Sequence, residues 1–133
     1  MTSIVEKLVR LNLIKPPSFV ASNTVYETQI GSIAYGISTD SSDKDVYGFC
    51  IPSKEIVFPH TIGVIYGFGN QGQTFEQFQQ HHIYKQDEKK EYDLTIFNIV
   101  KFFKLAMECN PNIIDSLYTL LNVLPTVVRL VLW

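Results

Sequence analysis

The spacing of a small-residue turn and two aspartates constrains this chain more than any other feature. Gly31-Ser32-Ile33-Ala34-Tyr35-Gly36 is followed by Ser42-Asp43-Lys44-Asp45-Val46-Tyr47-Gly48. Side chains alternate faces along an extended strand, so Asp43 and Asp45 are expected on one face and Val46 on the other. Two carboxylates so close repel each other unless a cation sits between them. Hard divalent ions such as Mg2+ take oxygen ligands and are commonly shared with substrate phosphates. The upstream Gly31-Ser32 turn offers backbone N–H groups and a hydroxyl to such phosphates. The pattern points to a metal-dependent site acting on a nucleoside triphosphate. A calcium loop would need a closing Glu and further acidic ligands at set positions, which are absent here.

Gly31-Ser32 and, about ten residues later, two acids separated by one residue resemble the signature of the nucleotidyltransferase fold of the DNA polymerase beta superfamily. The fuller string Gly-Ser-x-Ala-Tyr-Gly, then Ser-Asp-x-Asp-x-x-Gly, looks like a bacterial and phage branch linked to RNA repair. Gly67-Phe68-Gly69, Phe75-Glu76-Gln77, Gln80-His81-His82 and Asn110-Pro111-Asn112 are similar to the same branch. The likeness runs from about Tyr26 to Tyr118. It implies an α/β fold, a small mixed sheet flanked by helices, and Mg2+-dependent transfer of a nucleoside monophosphate from an NTP. The acceptor would be a hydroxyl on an RNA end, a small molecule or a protein.

The resemblance also implies roles for particular residues. Asp43, Asp45 and a third carboxylate from a later strand, Asp93, would hold two Mg2+ ions, with Asp93 nearest the acceptor hydroxyl. Glu91, on the same strand face, is the fallback. Gly31, Ser32 and Tyr35 would line the nucleotide site. Lys101 and Lys104, on the helix after Asp93, would reach phosphates, against the alternative that they are solvated helix lysines. The competing reading of Asp93 is a capping aspartate before that helix, favoured by the helix dipole.

At 133 residues the chain makes one domain (1–133), able to bury ~65–70% of its unfolded surface. A net charge of −2 argues against a generally basic nucleic-acid clamp. A local patch of Lys85, Lys89, Lys90, Lys101 and Lys104 stands beside the plainer reading of a solvated surface. Cys50 and Cys109 form no Cys-x-x-Cys motif and are expected as reduced, buried thiols of a cytoplasmic protein. No signal-peptide pattern opens the sequence, and Leu117–Trp133 is interrupted by Asn122, Pro125 and Arg129, short of a membrane span.

Helical spacing of Ile4, Val5, Leu8 and Leu11 predicts a first helix capped by Thr2 or Ser3 and closed by Pro16-Pro17. Thr24–Ile30 reads as the first strand, Ser32–Tyr35 as a helical turn ended by Gly36, and Asp43–Ile51 as the second strand. Ile62–Tyr66 reads as a short strand, and Phe75, Phe78 and His82 as one helix face. Lys85–Glu91 reads as a surface turn and Tyr92–Leu94 as a third strand. Thr95 is expected to cap a helix Ile96–Cys109, with Ile96, Ile99, Val100, Phe103 and Met107 as its apolar face. Asn112 is expected to cap a last helix.

Two further patterns carry weaker chemistry. Adjacent His81-His82 without a Cys/His partner set makes a poor zinc site. Gly67–Gly72 matches G-x-G-x-x-G, but a dinucleotide site needs a strand before it and an apolar helix after it, so a mobile glycine loop near the active site fits better. From Leu120 to Trp133 the likeness fades. This tail suggests a truncated copy or, alternatively, a terminal strand or helix; left exposed, it would favour oligomerisation. The second functional class is therefore an inactive remnant that binds nucleotide or a partner protein.

Overall fold

The computed structural model describes residues 3–31, 36–37, 43–72, 74–119 and 127–128. Its centre is a mixed sheet of β1 (Thr24–Ile30), β2 (Lys44–Cys50), β3 (Gln77–Lys85), β4 (Lys90–Asn98) and the two-residue β5 (Val127–Val128), in the order β3-β4-β2-β1-β5. The pairs β1–β2 and β3–β4 are antiparallel, and β2–β4 is parallel. β5 pairs antiparallel with β1, setting Val128 opposite Tyr26. The rest of the tail, 120–126 and 129–133, lies outside the described residues, as do Ser32–Tyr35.

Helices cover both faces of the sheet. On one side, α1 (Ile4–Arg10) and α2 (Ser18–Asn23) bring Val5, Leu8 and Val20 against Val46, Cys50, Leu94 and Ile96. On the other, α4 (Ile99–Met107) and α5 (Pro111–Leu117) bring Phe102 and Ile113 against Tyr26, Tyr47, Phe49 and Phe97. Burying the Phe102 ring alone contributes about 2 kcal/mol. Along the chain, α3 (Lys54–Val57) and a 3-10 turn, Pro59–Ile62, fall between β2 and β3.

Local chemistry accounts for the element boundaries. Ser3 caps α1, accepting from the Glu6 N–H, as its spacing predicts. The carboxylate of Glu27, fully buried on β1, adds to that cap. It accepts from the Ser3 hydroxyl at 2.8 Å, from the Ile4 N–H, and from the Val5 N–H at 3.4 Å. A negative group at a helix N-terminus meets its unpaired amides and the positive end of its dipole. Gly48 is needed where β2 crosses β1: a Cβ there would overlap the Tyr26 carbonyl oxygen and stand 3.0 Å from the Glu27 Cα.

Several sequence expectations need correction. Phe75, Phe78 and His82 do not share a helix; Gln77–Lys85 is a strand. Ile62–Tyr66 forms no strand beyond a single bridge between Ile65 and Phe68. Thr95 and Ile96 belong to β4, and Asn98 caps the helix by accepting from the Lys101 N–H. On α4 the core residue is Phe102, whereas Val100, Phe103 and Met107 are exposed. Asn110, not Asn112, caps α5, with Pro111 at its first position. The hexad Gly67–Gly72 opens no helix: Gln71 closes the turn by donating to the Ile65 and Phe68 carbonyls. Cys50 is buried, which pushes its thiol up to about 12, whereas Cys109 is exposed; both are free.

The turn joining β3 to β4 is more than a solvated run. Glu88 meets Lys44 at 2.9 Å, Lys7 at 3.1 Å and the Tyr92 hydroxyl at 2.5 Å, and also pairs with Lys85. Lys85 is buried rather than part of a basic surface. These hydrogen bonds, Lys85 and Tyr92 foremost, hold the Glu88 carboxyl far below its usual range. The ties fasten the hairpin to α1 and to the start of β2.

Candidate active site

Three chain segments converge at one end of the sheet. β1 leaves it through Ile30 and Gly31, while β2 and β4 enter it. Ile30 is the register partner of Asp45, and Asp45 is the register partner of Asp93. Neighbouring strands lie about 4.8 Å apart, and in a parallel pair residues in register point to the same face. Asp45 and Asp93 thus stand side by side on the sheet face that carries Tyr47, Phe49 and Phe97 further along. Lys44 points the other way, donating to Glu88 and Tyr92. Asp43 precedes β2 and is exposed.

Gly31 has φ +83°, a left-handed conformation that favours glycine. A Cβ on it would stand 2.8 Å from Oδ2 of Asp45. The glycine therefore gives both the turn and free space beside the carboxylate. Ser32 and Tyr35 lie outside the described residues.

The two paired carboxylates differ electrostatically. Burial raises the pKa of Asp45, and the nearby charges of Asp93 and Asp43 raise it further, against a smaller opposing effect of His81. For Asp93, burial also acts upward. It is outweighed by hydrogen bonds from the His82 backbone N–H (2.8 Å to Oδ1) and from His81 Nδ1 (2.9 Å to Oδ2), leaving the carboxyl below its usual value. Asp93 lies in mid-strand, well before the Asn98 cap, so it caps no helix. Glu91, one turn of the pleat away, is engaged by His82 Nδ1 at 3.2 Å.

Carboxylate oxygens are hard donors, suited to hard divalent cations. Among the described residues no group of three or more His, Cys, Asp or Glu is arranged to hold a metal. A pair of adjacent carboxylates with space kept open by Gly31 matches the needs of Mg2+. That ion keeps several waters and takes its remaining ligands from one or two carboxylates and from substrate phosphates. Nδ1 of each histidine faces a carboxylate, His81 meeting Asp93 and His82 meeting Glu91.

Lys101 and Lys104 fall elsewhere. They line a cavity of about 300 Å3 with Glu76, Asn98 and Glu108, and Lys101 is paired with Glu76 at 2.8 Å. The turn at Gln71-Gly72 borders another cavity, with Glu55, Ile56 and Pro59. Neither cavity is lined by any of the three aspartates. The histidines on Asp93 escape sequence reasoning because their position depends on how β3 pairs with β4. The signals for them are the likeness of Gln80-His81-His82 to the family branch and their place shortly before the turn leading into the strand of Asp93.

The mixed sheet between helices, with Gly31 and the in-register aspartates at one end, agrees with the polymerase-beta-like fold that the following family match implies. The sequence pattern of the RNA repair pathway DNA polymerase beta family matches residues 5–124, and the chain belongs to that family. Membership suggests nucleotidyltransferase activity, with an NTP as substrate and a link to RNA repair. No curated protein and no solved structure matches the chain. No helix among the described residues is long and apolar enough to cross a membrane.

Proposed function

We propose that this chain transfers a nucleoside monophosphate from an NTP to a hydroxyl acceptor at the Gly31–Asp45–Asp93 site. The observation that carries the reading is the register pairing of Asp45 with Asp93 beside Gly31. Asp43, Asp45 and Asp93 would hold Mg2+. When bound there, Mg2+ supplies charge stabilisation to the entering and leaving oxygens at the α-phosphorus. Gly31 and Ser32 would present backbone N–H groups and a hydroxyl to the β/γ-phosphates. Asp93, held ionised by its two hydrogen bonds, would accept the proton of the attacking hydroxyl. The acceptor oxygen then bonds to the α-phosphorus, the bond from that phosphorus to the bridging oxygen breaks, and pyrophosphate leaves. The family's link to RNA repair makes an RNA end the first acceptor to test.

The test is calorimetric titration of each of the four NTPs, with and without Mg2+, into the wild type, Asp45→Asn and Asp93→Asn. Binding that requires Mg2+ and weakens by about tenfold or more in both variants is the expected result. A folded wild type that binds no NTP in Mg2+ overturns the proposal.

A further inference from the structure

Strand β3 reaches the site through an irregularity. Its pairing with β4 slips between Gln80 and Ile83, and His82 sits at φ +53°, in the left-handed region that a non-glycine residue rarely adopts. The bulge aims the His82 N–H at Oδ1 of Asp93 and brings His81 Nδ1 to Oδ2. The other ring nitrogen of His81, Nε2, lies 2.6 Å from Nε2 of Gln79. Gln79 and Asp93 thus hold the imidazole between them, one at each ring nitrogen. Gln77 sets the orientation of Gln79 by donating to its Oε1 at 2.9 Å. A row of Gln77, Gln79 and His81 along one strand face thus ends on the third carboxylate.

Packing does not account for this arrangement. The His81 side chain is half exposed and buries little. A non-glycine residue in the left-handed region costs about 1 kcal/mol or more. Here the strained residue and its neighbour are the two that bind Asp93.

We infer that His81 is a positioning residue for Asp93: braced on its far side by Gln79, it fixes the carboxylate so that its remaining lone pairs face Asp45. The inference rests on the nucleotidyl-transfer reading of the site. Each carboxylate oxygen has two lone pairs, so the hydrogen bonds from His81 and His82 leave one on each oxygen for a cation. Partners of this kind orient a metal-binding carboxylate, and their loss typically weakens metal affinity 10- to 100-fold.

Mn2+ titrated into the full chain, with the free ion followed by electron paramagnetic resonance, tests the assignment. His81→Ala is expected to weaken Mn2+ binding by about tenfold or more, at an unchanged melting temperature. His81→Asn, whose amide nitrogen can donate in place of Nδ1, is expected to stay within about threefold of the wild type. Equal affinity of His81→Ala and wild type overturns the inference, as does an Asn variant no better than the Ala one. A wild type that binds no Mn2+, or binds it equally well after Asp45→Asn, overturns the site reading as well; this pattern is distinct from the first two.

Discussion

Gly31 and Asp45 meet where β1 leaves the sheet and β2 enters it, and the missing side chain of the first makes room for the carboxylate of the second. The backbone conformation at Gly31 strains any larger residue, and a Cβ there would displace the Asp45 carboxylate. Gly31→Ala is expected to cost about 1–2 kcal/mol from the left-handed conformation alone. The added methyl also pushes on Asp45, so Mg2+-dependent NTP binding should fall further than stability does. Urea unfolding and calorimetry on the same variant separate the two losses.

The pH dependence of Asp45 has a definite sign. Burial, with Asp93 and Asp43 adding to it, raises its folded pKa above the unfolded value of about 3.9. Its contribution to stability is therefore fully present below that unfolded value and is lost as pH rises through the folded one. Without divalent cation, Asp45→Asn should melt a few degrees above the wild type at pH 7. The difference should shrink toward zero as pH falls to the unfolded value. Thermal melts across this range check it, and a wild type that melts above the variant at pH 7 contradicts it.

Glu27 anchors the first helix to the strand that ends in Gly31. Removing its carboxylate leaves the Ser3 hydroxyl and the first amides of α1 without their acceptor. Glu27→Ala is expected to cost about 2 kcal/mol or more, as buried donors left unmatched do. Urea unfolding should show a lower midpoint at an unchanged slope.

How much of this was legible depends on what the local residues could say. Thr24–Ile30 reads to the residue as a strand, because its alternation of β-branched and polar residues has no helical counterpart. Leu94-Thr95-Ile96-Phe97 misleads for the opposite reason. A strand buried on both faces reads as a continuous apolar run, and its overlap with Ile99 and Phe103 imitates helical spacing. In β3 the bulge at His81-His82 breaks the period of two, so Phe75, Phe78 and His82 fall by coincidence on a helical pattern. Asp45, Asp93 and Gly31 were visible from residue type and spacing together with the family likeness. The hold of His81 on Asp93 was not, because it is created by a hairpin register that no window of sequence contains.

The parallel pairing of β2 with β4 divides this site between two hairpins. Gly31 and Asp45 belong to the β1–β2 hairpin, whereas Asp93 belongs to β3–β4 together with both histidines that hold it. The candidate site therefore straddles a seam. If the β3–β4 hairpin separates as one cooperative unit, as supersecondary motifs often do, Asp93 departs with its own supports still attached. Each hairpin would keep its half intact, and rejoining along the β2–β4 pairing, with the Glu88 ties to Lys7 and Lys44, would restore the whole.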